Sequence, residues 1–418
     1  MTTFAVKFLG CKVSQADAML ARSRLLAAGH EEVPEAEAEL HVINTCCITR
    51  EAEAKSRQAA RRSARDGRRV IATGCAANLN SRQFDEIGAS VTALVGTADD
   101  VAEQVAGAAG PACIDGAADP LPLTGIAAGR TRGFVKVQDG CDCHCSYCII
   151  PKVRGAARSR PAAAILREAR RRVEQGQPEM VMTGISVGGY RDPETGIDLG
   201  GLMCAVAGVD GVERVRLSSV EVIHLGDGLI AALAEEPRIC PHLHVPLQSG
   251  DDRVLAAMGR SYDSAAYLRR IDQVRERVPG VNITTDVIVG FPAEDEASFD
   301  RTVETVRAAG ITRVHTFSFS PRPGTEADTQ GDPVPPEEKK RRSRAMRGLS
   351  EALGRVHRSA RLGTDEDVLV DKGTPERMSG YSRDYTRYYL PASAGRPGET
   401  VTARAVELHA DGILGETA

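Results

Sequence analysis

The sequence predicts an α/β protein in three folded parts: an N-terminal α/β domain with a parallel sheet (1–107), a central partial (β/α)6 barrel (131–358) and a small C-terminal β-barrel (359–418), with a linker at 108–130. Three observations carry this reading. Apolar runs alternate with helical patterns up to about residue 107, as a mostly parallel sheet requires. After a Gly/Ala/Pro-rich stretch the alternation resumes for six further units, which fits an incomplete parallel barrel. The last 60 or so residues turn to short strand signals separated by turns, the pattern of a small barrel.

In the first part, TFAVKFLG reads as a strand, followed by a helix from Ser14 to Ala28, then ELHVINT, a helix from about Glu51, RRVIATG, and ALVGT with a helix after it. The stretch GAAGPACIDGAADPLPLTGIAAG has the composition of a flexible linker. The barrel strands are GFVKVQ, EMVMTG, ERVRLSS, HLHVPLQS, ITTDVIVGF and RVHTFSFS, with amphipathic helices between them. A Pro-rich loop and a helix bearing the basic run Lys339, Lys340, Arg341, Arg342, Arg344 and Arg347 lead to the last part. Its strand signals are DVLVD, RYYLP, ETVTARAVEL and DGILGE.

A chain of 418 residues with 42% hydrophobic and 26% charged residues has the composition of a soluble globular protein. No apolar run approaches the roughly 20 residues of a membrane span. The N-terminus MTTFAVKFLGCKV opens as a strand without signal-peptide order, so a cytoplasmic location is expected. A formal net charge of -4 excludes an overall basic field, and any nucleic-acid contact must be local. In a reducing compartment eleven cysteines point to metal or redox chemistry rather than disulfides.

Cys141, Cys145 and Cys148 stand at C-x3-C-x2-C spacing directly after a strand-like run. Three thiolates at this spacing can hold three corners of a [4Fe–4S] cube and leave one iron open. A zinc knuckle completed by His144 or Cys143 is the alternative. Three further cysteines, Cys11, Cys46 and Cys75, each close an apolar strand run, so a parallel sheet would bring them to one edge, where ligands gather. Cys47, adjacent to Cys46, is expected to point elsewhere, and Cys113, Cys204 and Cys240 are read as core or incidental thiols.

These motifs resemble the radical S-adenosylmethionine (SAM) methylthiotransferases over essentially the full length. GCKVSQAD, NTCCIT and ATGCAA resemble the family's N-terminal domain, DGCDCHCSYCIIPKVRG its radical SAM loop, and the last 60 residues its TRAM domain, a small RNA-binding barrel. GCKV, NTCxxT, FVKVQDGCD, TGIxxGxY, HLHxPLQSG and TTDVIVGFP are most similar to the enzymes that place a methylthio group on C2 of N6-threonylcarbamoyladenosine at position 37 of tRNA. The chain departs from the family's usual wording at Ser14, at Cys143 and in the extra thiol of NTCCIT.

The resemblance implies two [4Fe–4S] clusters, one on Cys141, Cys145 and Cys148 that cleaves SAM and an auxiliary one on Cys11, Cys46 and Cys75 that delivers sulfur. It also implies a SAM pocket including Thr183, Gly184, Gln248, Gly290 and Glu294, a tRNA substrate, a reducing electron-donor protein and no membrane. Arg154 and Arg160 could meet RNA phosphate or the SAM carboxylate, or be ion-paired. The basic helix is expected to touch phosphate, and Tyr381, Tyr385, Tyr388 and Tyr389 to stack on bases or to fill the barrel. The same chemistry on a metabolite or a ribosomal protein side chain, and an RNA-binding protein with structural zinc, are the competing functions.

Overall fold

The computed structural model describes residues 1–65, 67–97, 99–100, 103–104 and 131–417. The expected linker at 108–130, with Cys113, lies outside the described residues, as does most of the helix expected after ALVGT. The chain divides into two compact units, one of residues 1–126, 138–143 and 148–158, the other of 127–137, 144–147 and 159–418.

The first unit is built on a five-stranded sheet. Its strands are β1 (Thr3–Phe8), β2 (Glu31–Glu32), β3 (Leu40–Thr45), β4 (Arg69–Gly74) and β5 (Val91–Ala93), in the order β2-β1-β3-β4-β5, every pair parallel. All six residues of β3 are buried, as in a central strand covered on both faces. The helix Lys12–Ala27 begins two residues before the expected start, because Cys11 is still extended and the chain turns directly after it. The helix Arg50–Ala64 starts where Thr49 Oγ1 accepts the Ala52 N–H at 3.1 Å, with Glu51 and Glu53 in the favourable first turn. Ala21 and Leu25 of the helix Lys12–Ala27 pack with Phe4, Leu40 and Val42 of the sheet in one core cluster.

After residue 130 come β6 (Arg132–Lys136) and the short strands β7 (Gln138–Asp139) and β8 (Arg158–Ser159). The second unit continues with β9 (Glu179–Thr183), β10 (Arg214–Leu217), β11 (His242–His244), β12 (Asn282–Val289) and β13 (Arg313–Ser318). Two parallel three-stranded sheets, β10-β9-β6 and β11-β12-β13, are joined where Val215 pairs with Ile239. This is the partial barrel. Four of its helices open on an aspartate cap: Asp198, Asp251, Asp263 and Asp295 accept from Gly201, Val254, Ala266 and Ser298.

A closed five-stranded barrel ends the chain: β14 (Asp365–Gly373), β15 (Arg377–Ser382), β16 (Arg387–Pro391), β17 (Thr400–His409) and β18 (Gly412–Thr417), in the order β14-β15-β16-β18-β17. It docks on the amino ends of the partial-barrel strands. Arg132 pairs with Asp371 at 3.3 Å, Arg214 donates to the Tyr381 and Asp367 carbonyls, and Asn282 donates to the Asp384 carbonyl at 2.7 Å. Arg216 bridges the joint: it pairs with the fully buried Glu179 at 2.8 Å and donates to the Ser382 and Arg383 carbonyls.

The structure bears on two further readings. The basic run on the helix Pro336–Ser359 is largely consumed within the chain: Lys339 pairs with Asp332, Lys340 with Glu337, Arg341 with Glu338 and Glu296, and Arg342 with Glu294 and Glu338. Carboxylates one turn away, in the loop before this helix or at or just before the start of the helix Glu296–Ala308 reach these cations. The tyrosines also divide. Tyr381 and Tyr385 stack on each other in the joint, with Arg132 over one ring and Arg216 over the other, and Tyr388 is buried in the small barrel's core, which leaves Tyr389 nearer the surface.

Arg216→Met should destabilise the second unit by about 3–5 kcal/mol, because Glu179 would keep its burial and lose its counter-charge. Urea denaturation checks this, and replacing Glu179 as well should recover much of the loss.

Candidate cluster and cofactor sites

In the first unit the register sets Phe8 beside Asn44 and Thr45 beside Gly74, so the carboxyl ends of β1, β3 and β4 lie level. Cys11 follows β1 by three residues, and Cys46 and Cys75 follow β3 and β4 directly. Two glycines make this approach possible. A Cβ on Gly10, at φ +121, would lie 3.2 Å from Cys46 Sγ, and one on Gly74, at φ +87, would lie 2.0 Å from Asn44 Oδ1. Cys46 and Cys75 are buried, and burial pushes the Cys46 thiol up to about 11.

Cys75 behaves oppositely. A hydrogen bond from Cys47, against the cost of burial and with help from the Arg154 guanidinium, brings it down to about 7. Cys47 therefore does not point elsewhere: it is fully buried and turned to Cys75, because the chain curls into a loop between β3 and the next helix. Arg154 donates its Nε–H to Cys75 Sγ at 3.2 Å, and its terminal nitrogens reach Asp139 at 3.0 Å and Asp17 at 2.8 Å. These groups, with Asn44, Thr73 and Lys152, line a cavity of about 270 Å³. Arg160, by contrast, is ion-paired with Glu168 at 2.8 Å.

The 141–148 loop contributes to both units. In the first, Cys141 Sγ accepts the Cys143 N–H at 3.3 Å, and the Cys141 N–H is held by the Gly155 carbonyl. In the second, Cys145 Sγ accepts from Arg260 at 3.2 Å, a guanidinium also paired with Glu221, and Ser146 is fastened to the Ala257 and Met258 carbonyls. Each cysteine set thus has one sulfur facing a buried arginine, an environment that suits a thiolate ligand. Among the described residues no three or more His, Cys, Asp or Glu are gathered as a metal-ion set. The ligands of a cubic cluster are instead spread around a group several ångströms across.

The residues singled out for the SAM pocket lie at or beyond carboxyl ends of second-unit strands. Thr183 ends β9, buried, with Gly184 next. Gln248 is held at φ +67, bonded through its backbone to Asp286 and Ile288, and its buried Oε1 has no partner among the described residues. Gly290 follows β12, and its N–H donates at 2.7 Å to Glu294 Oε1, which also pairs with Arg342 at 2.6 Å. Glu294 Oε2 is buried with no partner among the described residues. Sequence reasoning missed His244, whose ring nitrogens meet Asp286 at 3.0 Å and Thr284 at 2.9 Å beside the His315 ring. The polar run Thr284, Thr285 and Asp286 within the otherwise apolar strand β12 was the available signal.

The family described as the radical SAM superfamily matches residues 135–306, and the uncharacterized protein family UPF0004 matches residues 3–96. The threonylcarbamoyladenosine tRNA methylthiotransferase MtaB of Thermotoga maritima is 33% identical over 425 residues, 99% of this chain and 96% of that protein. The chain belongs to the radical SAM methylthiotransferase family. It is accordingly a transferase, and its cofactors are S-adenosylmethionine and two [4Fe–4S] clusters. A tRNA-2-methylthio-N(6)-dimethylallyladenosine synthase of Moorella thermoacetica is 31% identical over 96% of this family member and 95% of its own length. Among solved structures, the radical SAM methyltransferase TsrM of Kitasatospora setae shares the fold, with a TM-score of 0.55 at 13% identity over 76% of this chain and 73% of that one. Among the described residues no helix is long and apolar enough to cross a membrane.

Gln248→Gly should hold or raise stability by up to about 1 kcal/mol, since glycine adopts a positive φ without strain. If the orphan amide oxygen serves SAM, the same change should weaken SAM binding severalfold. Anaerobic equilibrium dialysis and urea denaturation of one variant read both effects.

Proposed function

We propose that this enzyme places a methylthio group on C2 of N6-threonylcarbamoyladenosine at position 37 of tRNA. The observation that carries the reading is near-full-length similarity to MtaB of Thermotoga maritima, joined to two separate three-cysteine sets in one chain. In this reading Cys141, Cys145 and Cys148 hold the cluster that binds SAM, and Cys11, Cys46 and Cys75 hold the auxiliary cluster. When bound, clusters and SAM supply the one-electron chemistry that an unactivated aromatic C–H demands. The chain's own part is to hold thiolates: Arg260 and Arg154 offer N–H groups to Cys145 and Cys75, and burial keeps water from Cys46. Thr183, Gly184, Gln248, Gly290 and Glu294 are the proposed SAM contacts, with Gln248 Oε1 as an acceptor for the amino group.

The proposed division is a methylthiotransferase domain at 1–107, a linker at 108–130, a radical SAM core at 131–358 and a TRAM domain at 359–418, in a cytoplasmic enzyme reduced by a donor protein. The small barrel is anchored at the strand ends opposite the proposed SAM contacts. That arrangement suits a macromolecule long enough to engage both, and a metabolite would gain nothing from it. The acidic run Asp365, Glu366 and Asp367 is partly tied up within the barrel, since Asp365 pairs with Arg404 at 3.2 Å and Asp367 accepts from Thr402 at 3.1 Å. The similarity to a dimethylallyladenosine-type synthase favours a second reading, the same C2 chemistry on that nucleoside.

Reaction of the anaerobically reconstituted enzyme with tRNAs carrying either modification, followed by nucleoside mass spectrometry, decides between them. The methylthio product of threonylcarbamoyladenosine alone is expected, and product from dimethylallyladenosine alone would overturn the substrate assignment. Cys46→Ala should still cleave SAM to 5′-deoxyadenosine while methylthio product falls below detection. Product at the normal rate would remove Cys46 from the ligand set.

A further inference from the structure

Arg154 stands out among the buried cations. Its side chain is only 6% exposed, and its donors are divided in an unusual way. The two terminal nitrogens take the carboxylates of Asp17 and Asp139, and Nε–H is left for Cys75 Sγ at 3.2 Å. A purely structural ion pair has no need of a sulfur acceptor, which is weak as a thiol and strong as a thiolate. The guanidinium acts on the sulfur both by its charge and by the directed N–H···S bond, and the two carboxylates fix the direction of that bond.

The fork is also fixed in advance. Arg154 ends the helix Ile150–Arg154, and Asn78 Nδ2 clamps the Val153 carbonyl at 2.8 Å while its Oδ1 accepts the Gly96 N–H. Asp17 lies in the helix that follows Cys11, and Asp139 lies two residues before Cys141. One guanidinium is thereby tied to the segments carrying Cys11, Cys75 and Cys141, all within the first unit.

We propose that Arg154 is a positioning residue of the auxiliary cluster, which orients Cys75 and raises the cluster's reduction potential through its N–H···S bond. A hydrogen bond to a ligand sulfur stabilises the reduced, more negative cluster, so the direction is set. The proposal rests on the assignment of Cys75 as a cluster ligand.

The test uses full-length protein with Cys141, Cys145 and Cys148 changed to Ala, so that only the auxiliary cluster is read. Its midpoint potential is measured by a redox titration monitored by electron paramagnetic resonance, alongside iron content. Arg154→Gln should retain iron and lower the potential, and Arg154→Lys, which keeps the charge without the fork, should also fall below the parent. If Arg154→Gln does not retain iron, the Lys variant carries the comparison. Potentials equal to the parent's, with iron intact, would overturn the proposal. Cys75→Ala in the same background separates the two failures: unchanged iron and spectrum there would mean that Cys75 is no ligand and would sink the premise itself.

Discussion

The level carboxyl edge of a parallel sheet is the constraint on which the chemistry of this protein depends. Cys11, Cys46 and Cys75 are separated by dozens of residues, and only the in-register pairing of β1, β3 and β4 brings the turns that carry them together. Every residue of β3 is buried, so this central strand is fixed from both faces, and its level pairing with β1 and β4 sets the placement of the thiols. The same logic runs through the second unit, where Thr183, Gln248 and Gly290 are gathered at the carboxyl ends of parallel strands. The amino ends are closed instead by the small barrel, through Arg132, Arg214, Arg216 and Asn282.

Buried arginines form the second layer. Arg216 stabilises the joint only because Glu179 is buried with it, and Arg154 and Arg260 each use one N–H on a cysteine sulfur. In all three cases the guanidinium's planar fork meets several acceptors at once, which an ammonium could not do with the same geometry. The contrast with the helix Pro336–Ser359 is instructive. Its cations are more numerous, Lys340 and Arg341 among them are more exposed, and carboxylates on the same helix pair with Lys340, Arg341 and Arg342.

Much of the fold could be read from the sequence because it rests on periodicity. The alternation of strand and helix patterns, the six barrel strands and the turn-rich C-terminal barrel follow from apolar spacing and turn residues, whereas the caps at Asp198, Asp251, Asp263 and Asp295 emerge from the structure. Strand-end placement of Cys11, Cys46 and Cys75 was legible for the same reason. Side-chain direction in irregular loops was not. Cys47 turns to Cys75 in a loop without a period, and Arg154 finds Cys75 across 79 positions of sequence. The ion pairs of the basic helix were not legible either, because a run of cations says nothing about carboxylates supplied by other elements, such as Glu294 and Glu296.

The claim that two independent thiol sets each hold a cluster is tested most directly by iron quantification and Mössbauer spectroscopy of the anaerobically purified protein with Cys141, Cys145 and Cys148 replaced by Ala. About half of the parent's iron, all of it in a single [4Fe–4S] signal, is the expected result. Full iron content, complete loss of iron, or zinc in place of iron would contradict it.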